Sequence, residues 1–61
     1  MGRTTVKVFL KGKDREDDFF VTPINLTPAE AKDYYLGKWW NMGIETDKMM
    51  LCHKVEILKE E

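Results

Sequence analysis

A helix start in the middle of the chain constrains the fold more than any other sequence feature. Thr27 is followed directly by Pro28 and, three positions on, by Glu30. A threonine in this position accepts a hydrogen bond from the helix backbone and the glutamate returns one, while proline suits the first helical position because it lacks an N–H. The sequence therefore predicts a helix that begins at Pro28 and separates two β-rich parts.

The part before the helix has the pattern of a β-hairpin. Residues 4–11 alternate apolar and polar side chains, as a half-buried strand does. Residues 12–18 contain a glycine and a cluster of charges without any apolar residue, which is typical of a turn. Residues 19–22 return to β-forming side chains, and Pro23 limits this second strand because proline donates nothing to a ladder.

The part after the helix predicts a closing strand over residues 49–58. Alternation places the following residues on its apolar face: Leu51, His53, Val55 and Ile57. The resulting order β-β-α-β predicts an α+β fold with a three-stranded antiparallel sheet in the order 2-1-3. We expect one helix packed on one face of this sheet, and a single domain over residues 1–61.

The helix is expected to run to about Asn41 or Met42, with Gly43 as its left-handed stop. At 100° per residue, one stripe of the helix would lie on the sheet: Ala31, Tyr35, Trp39 and Met42. Neighbouring aromatic residues on a helix point in different directions. We therefore predict that Tyr35 and Trp39 face inward and that Tyr34 and Trp40 are partly exposed.

The apolar arc of this helix is wider than a three-stranded sheet has room to bury. Exposed tryptophan and tyrosine are enriched among the residues that dominate protein interfaces. We therefore predict a partner-binding surface centred on Tyr34, Leu36 and Trp40, with Asp33 and Lys38 as charged residues at its rim. The alternative is that these aromatics only stabilise the monomer, because so small a domain has few core positions.

Length and composition exclude several functional classes. A chain of 61 residues forms one small domain, and its only cysteine, Cys52, excludes an internal disulfide and a multi-cysteine zinc site. The net charge of −1 disfavours bulk electrostatic binding of nucleic acid. Apolar runs are too short to cross a membrane, and the N-terminus lacks an apolar signal core, so we expect a cytoplasmic protein.

Catalytic chemistry finds little support in the sequence. Cys52 and His53 are neighbours on a strand, so their side chains should point to opposite faces and cannot form a nucleophilic pair. We expect a half-buried structural His53 and an inert Cys52. The acidic residues within 12–18 lack the spacing of a calcium loop, and no phosphate-binding glycine loop is present. The prediction is a non-enzymatic protein without metal or cofactor.

Three hypotheses for function follow from these patterns. The first is a protein-interaction module that binds an unidentified protein through the aromatic helix. The second is a small domain that binds single-stranded nucleic acid on the open sheet face through Lys7, Phe9, Lys11 and Phe20, since aromatic residues among basic ones suit that ligand. The third is an obligate homodimer in which a second copy completes the core.

The layout also resembles the short β-β-α-β proteins that phages and prophages encode. The residues that carry this resemblance are the stretch FFVTPINL leading into TPAEA, the sequence KWWNMG and the closing strand, together spanning about residues 19–58. The resemblance implies an accessory protein that acts by binding a host protein, and it transfers no particular site residue to this chain.

Overall fold

The computed structural model describes residues 3–60 and contains one helix and four strands. These are β1 (Thr4–Gly12), β2 (Asp17–Ile24), α1 (Pro28–Tyr35), β3 (Trp39–Asn41) and β4 (Met49–Glu60). The strand order is β2-β1-β4-β3, and every neighbouring pair is antiparallel. The small α+β fold and the pairing of the closing strand with β1 are confirmed. The prediction of three strands is wrong, because β3 adds a fourth.

The helix begins where the sequence predicts. The Glu30 backbone N–H donates to Thr27 Oγ1 at 3.3 Å, and the Thr27 backbone N–H donates to Glu30 Oε1 at 3.1 Å. This reciprocal pair satisfies two backbone donors that the first turn of a helix leaves without partners. Local chemistry therefore fixes the start of α1 without help from the rest of the fold.

The helix ends six or seven residues before its predicted end at Asn41 or Met42. Gly37 adopts φ of +75°, a left-handed conformation that terminates α1 and that glycine adopts without steric cost. The chain then enters the sheet at once, since the Gly37 N–H donates to the Cys52 carbonyl and the Cys52 N–H donates to the Lys38 carbonyl, both at 3.0 Å. Gly37, and not Gly43, is the helix stop.

One face of the sheet, here called the inner face, forms the core with α1. Its buried side chains come from the two central strands: Val6, Val8, Leu10, Met50, Cys52 and Val55. The helix covers them with Ala31 and Tyr35, as predicted. Trp39 was expected inward as well, but it belongs to β3 and is about half exposed at 49%.

Strand β4 contains two irregularities that change which side chains face the core. Phe9 pairs with Lys54 while Leu10 pairs with Cys52, so His53 is an extra residue in the ladder. A second register shift occurs at Leu58. The alternation that placed Leu51 and His53 with Val55 on the apolar face is therefore wrong: His53 is exposed, and the buried residues before the bulge are Met50 and Cys52.

The loop between β3 and β4 is organised by one asparagine. Asn41 Oδ1 accepts from the backbone N–H groups of Gly43 at 2.9 Å and Lys48 at 3.2 Å, and its Nδ2 donates to Asp47 Oδ1 at 2.9 Å. A side chain at position 43 would collide with the Thr46 carbonyl, which accounts for the glycine there. The loop therefore returns the chain directly from β3 into β4.

Candidate functional site

The first candidate is the helix-end surface, which we define as Asp33, Tyr34, Leu36, Lys38 and Trp40. The structure brings three of these residues together. The Tyr34 and Trp40 rings are 5.6 Å apart between centroids, and Lys38 Nζ lies 5.2 Å from the centre of the Tyr34 ring. Tyr34 and Leu36 are exposed, as is Asp33 on the helix.

Trp40 contributes less to the helix-end surface than its sequence position predicted. It belongs to β3 and is partly buried against the core. Its ring lies 5.2 Å from that of Tyr35, and its indole Nε1–H donates to the Tyr35 carbonyl at 3.3 Å. A tryptophan with its only polar hydrogen already bonded has less to offer a partner. The helix-end surface therefore consists mainly of Tyr34, Leu36 and Lys38.

The second candidate is the face of the sheet opposite the helix, here called the outer face. At its centre Phe9 and Phe19 are directly opposite each other on β1 and β2. Lys7 Nζ lies 4.4 Å from the Phe19 ring centre and 5.1 Å from that of Phe9, and Lys54 Nζ lies 5.2 Å from the Phe9 ring centre. Two phenyl rings and two ammonium groups therefore form one cluster, in which Phe19 and Lys54 are exposed and Lys7 and Phe9 are half-buried.

The outer face extends from this cluster in both directions. Val21 is opposite Lys7 on β2, and Trp39 is opposite Leu51 at the other side of the sheet. Val21 and Trp39 are each about half exposed, at 51% and 49%, and Phe19 is 54% exposed. Large apolar side chains therefore recur across the width of the outer face.

Two of the residues predicted for the open sheet face, Lys7 and Phe9, lie on the outer face, and Phe20 does not. Phe20 lies on the inner face, where its ring is 5.9 Å from that of Tyr35, and Phe19 takes the predicted place beside Phe9. Lys11 does lie on the outer face, in an ion pair of 3.6 Å with Asp17. The pairing register of the hairpin determines which of Phe19 and Phe20 faces outward. Composition alone predicts where a strand begins but does not predict its register.

Pairs of identical neighbours explain how the outer face becomes so apolar. Three strands each contain two identical residues in succession, of which one side chain faces inward and the other outward. These doublets are Phe19 with Phe20, Trp39 with Trp40, and Met49 with Met50. Successive side chains in a strand point to opposite faces, so each doublet supplies the same residue type to both. The helix predicted as far as Asn41 or Met42 hid the outward position of Trp39, and the bulge at His53 hid that of Met49 on the closing strand.

Charges are distributed unevenly between the outer face and one end of the sheet. Among the paired strand residues that the structure describes, four lysines of the outer face, Lys7, Lys11, Lys54 and Lys59, outnumber its two carboxylates, Asp17 and Glu56. At the end of the sheet, the β1–β2 turn and the β3–β4 loop border a shallow cleft with side chains of both signs: Lys13, Asp14, Glu16, Asp47, Lys48 and Met49. The outer face is therefore locally basic in a chain whose net charge is −1.

The thiol and the histidine do not form a reactive pair. Cys52 is buried, and this burial raises the pKa of its thiol, partly offset by a contact of 3.7 Å from its Sγ to the Lys54 carbonyl. His53 next to it is exposed. Because the thiolate is the reactive form, a raised pKa makes Cys52 less nucleophilic. Burial is also the main cause that raises the pKa of Tyr35.

Residues 3–60 also bear on metal binding and on membrane insertion. No three histidine, cysteine, aspartate or glutamate side chains in this range come together in a way that could hold a metal ion. Within the same range, no helix has the length and apolar character needed to cross a bilayer. Comparisons with known protein families, with curated proteins and with solved structures find no match to this chain. The case for function therefore depends on the geometry of the outer face and of the helix-end surface.

Proposed function

We propose that this chain is a non-enzymatic binding module and that the outer face of its sheet is the surface that contacts a macromolecular partner. One observation carries the proposal: the outer face displays Phe19, Val21, Trp39 and Met49 to solvent, although no helix or strand within residues 3–60 packs over them. An antiparallel sheet with one solvated face ordinarily carries polar side chains on it.

The composition of the outer face supports contact with a partner more than a role in folding. Contiguous apolar patches on soluble domains mark binding surfaces, and aromatic residues are enriched at the centres of interfaces. The inner face already holds the buried core, from which Phe19 and Trp39 point away. Their large rings therefore contribute little to the fold, and binding gives a physical reason for their presence.

The helix-end surface is a second candidate, and it favours a protein partner. Tyr34 and Leu36 stay exposed within the chain, with Lys38 beside the tyrosine ring. Tyrosine and leucine next to a single charge suit the apolar centre and polar rim of a small protein interface. The phage-like layout is consistent with a module of this kind, and the cytoplasmic setting expected from the short apolar runs and the N-terminal sequence is part of the proposal.

Stability measurements on the phenylalanine doublet test the proposal. Threonine retains β-propensity, so Phe19→Thr and Phe20→Thr compare the outer and the inner face with little change in strand preference. We expect Phe19→Thr to lower the free energy of unfolding by no more than about 1 kcal/mol, the value of one cross-strand pair, and Phe20→Thr to lower it by about 2 kcal/mol or more. Urea denaturation followed by circular dichroism measures both values.

Solution mass is the matched control for this experiment. Light scattering over a dilution series should give the monomer mass of 7.2 kDa for the wild-type chain and for Phe19→Thr. A loss of stability with Phe19→Thr as large as with Phe20→Thr would contradict the proposal, because the outer face would then be structural. A concentration-independent dimer that Phe19→Thr dissociates would instead support the homodimer hypothesis.

A further inference from the structure

We propose that the outer face binds single-stranded nucleic acid, with bases stacked on Phe9, Phe19 and Trp39 and backbone phosphates held by Lys7 and Lys54. This inference rests on the proposed function, because it names the ligand of the same surface. Non-specific recognition of single strands combines aromatic platforms with basic side chains that follow the backbone. The cluster at the centre of the outer face places both kinds of group within 5.2 Å of each other.

Each of the two lysines can give up its contact with an aromatic ring and take up a contact with a phosphate. Lys7 Nζ lies over the Phe19 ring at 4.4 Å, and Lys54 Nζ lies over the Phe9 ring at 5.2 Å. A cation over an exposed ring is held weakly, whereas a base that stacks on the ring is held more strongly. An incoming base therefore displaces the ammonium from the ring, and the lysine remains close enough to meet the phosphate of the same nucleotide.

The third aromatic residue extends the platform across the sheet. Trp39 on β3 is in one row with Leu51 and Lys11, whereas Phe9 on β1 is in the row of Lys54, three residues further along β4. Neighbouring strands are about 4.8 Å apart, so a chain that contacts both rings runs diagonally across two strand spacings of the sheet. Lys54 lies on the strand between them, where such a chain would place a phosphate.

Charge decides between this ligand and a second copy of the chain. Two outer faces packed against each other would bring the central ammonium groups of Lys7 and Lys54 into one desolvated layer with their own copies. Like charges that are buried together oppose association, and the carboxylates of Asp17 and Glu56 are too few to neutralise the four lysines of each outer face. A polyanion with flat bases neutralises the same lysines and covers the same rings. The observed mixture of charge and aromatic surface therefore fits a nucleic-acid strand better than a symmetric dimer.

Binding of a fluorescein-labelled twelve-nucleotide oligothymidylate tests the inference. We expect fluorescence anisotropy to show binding at about 20 mM salt that weakens steeply towards about 200 mM, because counterions are released. Phe19→Thr should weaken binding about tenfold, in line with the loss of one stacked base. Lys7→Gln and Lys54→Gln should each reduce the slope of log affinity against log salt by about 0.7, the value for one phosphate contact to a single strand.

Matched variants outside both candidate surfaces serve as controls. Lys32→Gln removes an exposed positive charge from α1, and Ile44→Thr removes a fully exposed apolar side chain from the loop between β3 and β4. Neither variant should change the affinity more than twofold, since neither residue lies on the outer face. Equal weakening by Lys32→Gln and Lys7→Gln would overturn the inference, because it would show diffuse attraction to any positive charge.

The tryptophan doublet reports which face the ligand covers. Trp40→Phe leaves Trp39 on the outer face as the only tryptophan, and Trp39→Phe leaves Trp40 on the inner face. The oligonucleotide should quench the Trp39 emission of the first variant and protect it from acrylamide, with little effect on the second. Protection of Trp40 in place of Trp39 would overturn the assignment of the site.

Failure of this inference is distinguishable from failure of the proposed function. If no oligonucleotide binds at about 20 mM salt while Phe19→Thr leaves stability unchanged, the ligand class is wrong and a protein partner replaces it on the same surface. If Phe19→Thr unfolds the chain, the outer face is structural and the proposed function fails first. A stable dimer at the concentrations used for binding would also overturn the nucleic-acid inference.

Discussion

The two faces of the sheet carry similar residue types, but α1 covers only one of them. Phe20, Trp40 and Met50 lie with the core, while their neighbours Phe19, Trp39 and Met49 lie exposed on the other side. The inner face contributes hydrophobic burial, whereas the outer face leaves comparable groups in water, where they contribute little to folding. The comparison teaches that apolar composition alone does not identify the core of so small a domain; the position of the helix does.

The methionine doublet gives the largest expected difference between the faces. Met50 is fully buried, whereas Met49 is 40% exposed. Met50→Ala should lower the free energy of unfolding by about 2–5 kcal/mol. Because a domain of this size is stable by only a few kcal/mol, a large fraction of the molecules should then be unfolded. Met49→Ala should change the free energy of unfolding by less than about 1 kcal/mol. Thermal denaturation of the two variants checks the pair, and similar losses would contradict the assignment of the faces.

The buried thiol gives a kinetic measure of how tightly the inner face is closed. Cys52 is buried with a raised thiol pKa, so alkylation requires an opening of the fold. We expect iodoacetamide to react with the folded chain about a hundredfold more slowly than with the chain in urea. Mass spectrometry over time measures the rate. The exposed His53 provides a contrast, because diethyl pyrocarbonate should modify it in the folded chain without denaturant.

Removal of the helix cap should destabilise α1, which covers the inner face, without changing the structure of the outer face. Thr27→Ala deletes the hydroxyl that accepts from the Glu30 backbone N–H, and we expect a loss of about 1 kcal/mol. Thr27→Ser retains the hydroxyl and is the matched control, with little expected change. Urea denaturation gives the values, and in the Trp40→Phe background the folded-state emission of Trp39 should stay the same. A shift in that emission would mean that the two faces are coupled.

The smallest expected effect concerns the other half of the cap and depends on pH. The hydrogen bond from the Thr27 backbone N–H is the main cause that lowers the pKa of the Glu30 carboxyl, with a further contribution from the Thr27 hydroxyl. A lowered pKa in the folded state means that the ionised carboxyl stabilises the fold above its unfolded pKa, and that this contribution is lost as the pH falls through the folded pKa.

Glu30→Gln tests this dependence. Glutamine keeps an acceptor for the same backbone donor but does not titrate, so the stability difference between wild type and variant should be larger at about pH 7 than at about pH 3. Urea midpoints at both pH values measure it. A difference that stays constant over this range would show that the carboxyl charge contributes nothing to the cap.

Local chemistry made part of the fold predictable from the sequence. The start of α1 depends on Thr27, Pro28 and Glu30 alone, and β1 alternates without interruption, so both predictions are confirmed. The end of α1 was not predictable by periodicity, because Trp39 and Met42 continue the helical spacing beyond the true end. Gly37 inside that pattern was the signal, since glycine is costly within a helix and favourable at its end.

The candidate site was less predictable than the fold because it depends on register. The extra residue at His53 reverses which side chains of β4 face the core. Strict alternation from Leu51 therefore places Leu51 and Val55 on the same face, whereas the structure places them on opposite faces. The β1–β2 turn, closed by a 2.9 Å hydrogen bond from the Gly12 N–H to the Glu16 carbonyl, similarly decides that Phe19 faces outward. These are properties of paired strands, and a single segment of sequence does not contain them.

The doublets have a consequence for how securely the sheet finds its alignment during folding. A strand that slips by one residue exchanges its two sets of side chains, and most sequences resist this because a polar residue would enter the core. In β3 a slip would replace Trp40 by Trp39, so hydrophobicity alone barely penalises the error. The correct alignment is then distinguished from the shifted one by Asn41. Its side chain accepts hydrogen bonds from the backbone at both ends of the following loop, and only one alignment allows these bonds. A chain with Asn41 replaced would retain its composition and lose the feature that selects one native state from near-equivalent competitors.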